Sequence, residues 1–348
     1  MTRSLNRAAR VLAGVVMLTT AAAGSAAGVV EVTLSVPSFD RWMYPFNSSN
    51  PQGSELEATV FSPIGAPTEG AFDNRDGQMI LGFDTGSLVA PGLPIANYRI
   101  LEARLNVVAS REGTFVYDPT TDPIESMIPG SGVEDADAGK PVELFMCGYR
   151  GGWALTGPTA FGENTPFHNG PPFPFPARGI RNAFAAEYNA EGVLIDNSNN
   201  RDEARQARPL AVGAIEGVEP GAAVPRGSVM SFDMDVSDPD TLRYLRESLA
   251  AGRLNVVIAS LAITEQESSN VPAFYCKETP AKVGGVPASL TLRVCVGAPA
   301  DWDCSGGVTV PDIFAFLSDW FAGRGDFDNN GVNEVPDIFS FLSAWFGA

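Results

Sequence analysis

The C-terminal 48 residues repeat themselves, and this repeat limits what the chain can fold into more than any other feature. Asp301–Ala322 (DWDCSGGVTVPDIFAFLSDWFA) aligns with Asp326–Gly347 (DFDNNGVNEVPDIFSFLSAWFG) at a period of 25 residues, with 13 of 22 positions identical. Self-similarity at a fixed period marks units that bury their apolar faces against one another. Each unit opens as a polar loop and enters an apolar helix near Pro311 or Pro336, residue types suited to a first helical turn. Ile313, Leu317 and Trp320 share one helix face, and Phe314, Phe316 and Phe321 widen it. One helix cannot bury that stripe alone, so the widened stripe is expected to be covered between two antiparallel copies.

The loops carry the chemistry. Oxygen-bearing side chains recur at loop positions 1, 3, 5 and 12, with glycine at 6: Asp301, Asp303, Ser305, Gly306 and Asp312, then Asp326, Asp328, Asn330, Gly331 and Asp337. A hard cation such as calcium takes six to eight oxygens at about 2.3–2.6 Å, and alternate positions of a tight loop converge on one point. The carbonyls of Gly307 and Val332 at position 7 complete the expected ligand set. Asp at position 12 has a shorter reach than the usual Glu, leaving room for water.

No entering helix precedes either loop. Asp301 follows the linker Gly297-Ala-Pro-Ala300, and Gly323-Arg-Gly325 separates the repeats. A loop followed by one helix, given twice, resembles the dockerin family, and residues 298–348 are most similar to the planctomycete-type version with its D-x-[DN]-x-x-G…V-x-D-[IL]-F-x-F-L-x-x-W-F pattern. The resemblance implies a calcium-stabilised helix pair that binds a cohesin-like or other cell-envelope protein. It places the partner contacts at Val310, Pro311, Val335 and Pro336 and on the helix faces beyond. These positions are apolar here, where dockerins usually carry hydroxyl or basic residues.

Residues 1–27 read as an export signal: Arg3, Arg7 and Arg10 precede the apolar run Val11–Ala23, and Ser25-Ala26-Ala27 offers a small-residue cleavage site. The run is shorter than the roughly 20 residues of a membrane span, so a secreted or cell-surface protein with no transmembrane span is expected. Export bears on the cysteines, which then meet an oxidising compartment. Cys147, Cys276, Cys295 and Cys304 allow three pairings. Cys147–Cys276 within the large domain and Cys295–Cys304 at the junction are the expected ones. A single histidine, His168, excludes a Cys/His zinc site, and its Pro-rich loop Pro166–Pro176 suits no catalytic triad. The net charge of −18 disfavours nucleic acid as a partner.

Residues 28–297 read as one mainly β domain. Strands are expected at Val29–Val36, Met79–Asp84, Ala103–Ala109, Val142–Met146, Val229–Val236, Leu254–Ile263 and Ala288–Val296, and one helix at Thr241–Ala251 capped by Asp238 or Asp240. The segments QMILGFD (78–84), ILEARLNV (100–107), SFDMDV (231–236) and GRLNVVI (252–258) occur in that order. This series resembles the DNRLRE-type β-sandwich of bacterial surface proteins, related to some carbohydrate-binding modules. It implies a jelly-roll-like, non-catalytic sandwich with polysaccharide as a further ligand class. Trp42, Tyr44, Phe46, Tyr149 and Trp153 are the aromatics available to stack on sugar rings, with core packing as their alternative role.

Two alternatives to a non-catalytic surface protein stand beside it. One is a carbohydrate-active or aspartic-protease-like enzyme carried by the same module. Phe83-Asp84-Thr85-Gly86-Ser87 matches the protease signature, yet that chemistry needs two carboxylates about 3 Å apart, and no second D-[ST]-G occurs. The other is a structural envelope or fibre subunit. Asp73-Asn-Arg-Asp76 and Glu134-Asp-Ala-Asp137 could hold a further calcium, but read as solvated turn acids. Asn47-Ser-Ser49 is a glycosylation sequon by pattern.

Overall fold

A computed structural model describes residues 28–44, 52–62, 75–127, 131–165, 181–198, 206–264 and 270–348. The export signal, Phe46, the Asn47 sequon, Asp73 and the Pro166–Pro176 loop with His168 lie outside these residues.

The elements in chain order are β1 (Val29–Leu34), β2 (Phe39–Met43), β3 (Glu57–Thr59), β4 (Gln78–Asp84), β5 (Tyr98–Val108), β6 (Val142–Tyr149), β7 (Ala183–Tyr188), β8 (Leu194–Asp196), β9 (Ala211–Val212), β10 (Ala214–Ile215) and β11 (Val229–Asp233). They continue with α1 (Pro239–Ala251), β12 (Arg253–Ser260), β13 (Ala273–Tyr275), β14 (Ser289–Val296), α2 (Val310–Phe321) and α3 (Val335–Phe346). One sheet runs β1-β14-β5-β11-β10 and a second β2-β4-β12-β6-β7-β8, with β9 also on β6 and a small β13-β3 pair; the ladders are antiparallel. The chain is thus mainly β with a helical C-terminus.

A single cluster gathers side chains from both large sheets: Ala103, Leu105, Val107, Phe232, Leu290 and Leu292 from the first, and Met79, Leu81, Leu144, Leu254, Val256 and Ile258 from the second. The intervening residues of the second sheet, Ile80, Phe145, Cys147, Val257 and Ala259, pack with Phe39 and Phe161 on the other side. Burial on both faces explains why β4, β6 and β12 are near-continuous apolar runs rather than clean alternations. Gly82 of β4 is required by this covering, since a Cβ there would fall 2.0 Å from the Phe39 ring.

All seven expected strands and the helix are present, each within a few residues of its expected bounds. Asp238 is the helix cap, accepting a hydrogen bond from the Thr241 amide at 2.8 Å. β2 was not expected. Its sequence, Phe-Asp-Arg-Trp-Met, hides its role because Asp40 and Arg41 are buried rather than solvated. Asp40 accepts from the Lys277 amide at 2.7 Å, and Arg41 donates to the Thr165 carbonyl. Asp76 is likewise no solvated turn acid: it is buried and paired with Arg181 at 2.8 Å. Nearby, Arg75 and Glu143 form a fully buried pair at 2.7 Å.

Cysteine pairing is half as expected. Cys295 and Cys304 are disulfide-bonded, with Cα atoms 5.8 Å apart. The expected Cys147–Cys276 bond is corrected: both thiols are free and buried. Cys276 packs in the cluster shared by the two sheets, whereas Cys147 packs on the opposite side of the second sheet. Burial pushes the Cys147 thiol up to about 12 and raises that of Cys276 too, so neither is a ready nucleophile. Thiol titration of the oxidised protein should therefore find no reactive group in the native state and the two thiols of Cys147 and Cys276 after denaturation. A count of zero in denaturant would restore the pairing.

Candidate metal centre and exposed aromatic stripes

The two loops have the same backbone. Positions 4 and 6 both take positive φ, at Cys304 (59°) and Gly306 (98°) in the first and at Asn329 (61°) and Gly331 (88°) in the second. Glycine and asparagine tolerate that region readily; Cys304 is held there while bonded to Cys295. These reversals turn the backbone amides of positions 5 and 6 onto the position 1 carboxylate. Ser305 and Gly306 donate to Asp301 at 3.0 Å each, and Asn330 and Gly331 to Asp326 at 3.1 and 2.9 Å.

Position 12 does two jobs. Asp312 is buried, and its Oδ1 accepts from the Asp303 amide at 2.8 Å while Oδ2 accepts from the Thr309 amide at 2.7 Å. Asp337 does the same: its Oδ1 accepts from the Asp328 amide at 3.2 Å and also from that of Phe327 at 2.8 Å, and its Oδ2 from the Glu334 amide at 2.8 Å. One carboxylate therefore closes the loop and caps the helix that follows, the reciprocal arrangement of a capping box.

Carboxylate oxygens of Asp301, Asp303 and Asp312 lie within 4.8 Å of one another, as do those of Asp326, Asp328 and Asp337. Two oxygens each about 2.4 Å from one ion cannot be further apart than this. Both triads could hold a metal ion, and an all-oxygen donor set is compatible with calcium. Burial raises the carboxyls of Asp301 and Asp326 against the hydrogen bonds from Gly306 and Gly331, and the charges of Asp312 and Asp337 add to the rise. A cation would relieve that repulsion. Ser305 and Asn330 sit on the exposed rim with the backbone of Gly307 and Val332.

The helices meet as reciprocal halves. The Phe316 and Phe341 rings are stacked at 4.2 Å with planes 3° apart, and neither residue is exposed. Trp302 packs edge-on against Phe316 at 5.0 Å, and Phe327 against Phe341 at 5.5 Å. Trp320 donates its ring N–H to the Glu334 carbonyl at 2.9 Å, and Trp345 to the Thr309 carbonyl at 2.8 Å. Each tryptophan thus fastens the end of its own helix to the start of the other, making the pair antiparallel.

One expectation is overturned here. Phe314 and Phe321 do not widen the buried stripe; they are 68% and 80% exposed, and their counterparts Phe339 and Phe346 are 66% and 77% exposed. Position 314 lies two residues from the buried 316, about 200° around the helix, so it points away from the packed face. Val310, Phe314 and Phe321 fall within a narrow arc, as do Val335, Phe339 and Phe346, and Pro311 and Pro336 are exposed beside them. The sequence held no signal for this, since the duplication repeats the buried Phe316 and Phe341 as faithfully as the exposed Phe314 and Phe339.

The module is fastened to the large domain. Beyond the disulfide, Arg99 of β5 pairs with Asp319 at 2.7 Å and lies over the Trp302 ring at 4.2 Å. Arg246 of α1 donates to the Asn329 side chain in the second loop. Burial pulls the Arg246 guanidinium down to about 10.

In the large domain, Tyr149, Trp153, Tyr188, Arg243 and Glu247 line a cleft of about 470 Å³. Arg243 lies over the Tyr188 ring at 4.2 Å, and both Arg243 and Tyr188 hydrogen-bond Glu247, at 2.9 and 2.8 Å. Trp42 and Tyr44 lie elsewhere, packed on each other at 5.4 Å. Asp84 is an exposed strand-end residue whose ion-pair partner is Arg253 at 3.5 Å, not a second carboxylate. Among the described residues no helix is long and apolar enough to cross a membrane. Compared with known proteins, the chain matches no family model and no curated protein sequence.

Proposed function

We propose that this is an exported, non-catalytic cell-surface protein: a jelly-roll-like β-sandwich held in place by a calcium-loaded, dockerin-like docking module. The observation that carries the reading is the duplicated aromatic exposure. The module's core is complete without Phe314, Phe321, Phe339 and Phe346, yet all four are more than 60% exposed. Exposed aromatics beside apolar Val310, Pro311, Val335 and Pro336 are the residue types that anchor protein interfaces. The partner class is a cohesin-like or other cell-envelope protein, met through an apolar surface.

The full chain should bind a native cell-envelope fraction in calcium and be released by chelator. The variant with all four phenylalanines changed to alanine should keep its calcium and lose that binding. Binding that survives both treatments would sink the docking reading.

The Tyr149–Trp153–Tyr188 cleft supports polysaccharide as the ligand of the large domain, because it joins ring faces to an Arg243–Glu247 pair able to hydrogen-bond hydroxyls. Affinity electrophoresis in polysaccharide gels should show retardation of the wild type, and Trp153→Ala should abolish it. Release of sugar products instead would favour the enzymatic alternative, and self-assembly without partner or glycan the structural one.

A further inference from the structure

We propose that the large domain holds a divalent-cation site of its own, built by Asp118, Asp122 and Asp137, and that calcium is its ligand. The site is separate from the C-terminal loops and does not depend on their reading.

Asp118-Pro-Thr-Thr-Asp122 follows the edge of the core at Tyr117, and the loop carrying Asp135 and Asp137 folds back onto it. Carboxylate oxygens of Asp118, Asp122 and Asp137 come within 4.8 Å of one another, the same span as in the C-terminal triads. Asp118 and Asp122 are each only 3% exposed, whereas Asp137 is exposed. The cluster is therefore walled on one side and open on the other, which allows an ion to enter and water to complete its shell.

A second observation points to a ligand. Oδ1 of Asp118 accepts from the Thr120 amide at 2.9 Å and hydroxyl at 2.8 Å, but its buried Oδ2 has no hydrogen-bond partner. A buried carboxylate oxygen left unpaired is costly, and this one belongs to a residue already within reach of two more carboxylates. The Thr120 hydroxyl also lies 2.9 Å from Asp137, so it sits between the two carboxylates.

Lys140 supplies some compensation. Its ammonium reaches Asp122 at 2.8 Å and also pairs with Asp135. Lys140 therefore serves the Asp122–Asp135 side and leaves Asp118 and Asp137 to face each other. Hard, uncharged or anionic oxygens with no nitrogen or sulfur among them select calcium or magnesium over transition metals, and an irregular, partly open ring favours calcium.

The site was only half readable in the sequence. Glu134-Asp-Ala-Asp137 stood out as an acidic turn, but its companions come from Asp118 and Asp122, which the fold brings to it.

The test is equilibrium dialysis of the full chain against calcium, with bound metal counted per chain. Three ions should bind, one for each carboxylate triad among the described residues. Asp118→Asn/Asp137→Asn should lose one ion while the C-terminal pair is kept. Asp301→Asn/Asp326→Asn should keep the large-domain ion. Asp137 is exposed, so Asp137→Asn alone leaves the fold intact and should weaken this ion by about tenfold. Near-ultraviolet circular dichroism reports whether each variant is folded. A count that neither Asp137→Asn nor the double variant lowers would overturn the proposal and mean that Lys140 alone satisfies the cluster. If only the C-terminal reading fails, the wild type will bind one ion and Asp118→Asn/Asp137→Asn none.

Discussion

Removing calcium should melt the C-terminal module while leaving the β domain folded. With each loop at 100 times its dissociation constant, bound ions contribute about 2.7 kcal/mol apiece, so chelation withdraws about 5 kcal/mol from a unit of two short helices. That is comparable with the whole stability of a small domain. The expected result is a fall in helical circular dichroism from α2 and α3, reversed by added calcium, with the β signal unchanged. Asp312→Ala/Asp337→Ala should reproduce it permanently. Each substitution removes a buried carboxylate that ties the loop to the helix start through two backbone amides, and a lost acceptor for a buried donor costs about 1–3 kcal/mol. Identical melting with calcium and with chelator would show that the carboxylate rings hold no ion.

The second large effect separates packing from docking. Phe316→Ala should cost about 3–5 kcal/mol, because it empties the centre of the module and leaves Phe341, Trp302 and Phe327 facing a cavity. Phe314→Ala, two residues away, should change stability by no more than about 0.5 kcal/mol. Denaturant unfolding in saturating calcium measures both. Equal costs would mean that the exposed stripe is packed after all, and the docking surface would have to be sought elsewhere.

The difference between those two phenylalanines shows where reading the sequence stops. The carboxylate triads were legible because their spacing is local: positions 1, 3 and 12 converge through backbone turns written within a dozen residues. The apolar stripe was legible only as a stripe. Helical periodicity places Phe314 and Phe316 on opposite sides, but an apolar helix does not say how many of its sides will be covered. In the large domain, β4, β6 and β12 were visible as apolar runs. β2 and β7 were not, since β2 buries an Asp and an Arg under a loop and the alanine-rich Ala183–Tyr188 lacks the β-branched residues that mark strands. The Cys147–Cys276 pairing failed for a related reason. Cysteine count and export suggest a pair, but not that a sheet stands between the two thiols.

Crystals grown in calcium would test the metal reading most directly, through anomalous scattering collected at long wavelength. Peaks are expected inside the ring of Asp301, Asp303 and Asp312 and inside that of Asp326, Asp328 and Asp337. Ordered loops with no peak in either ring would contradict the account.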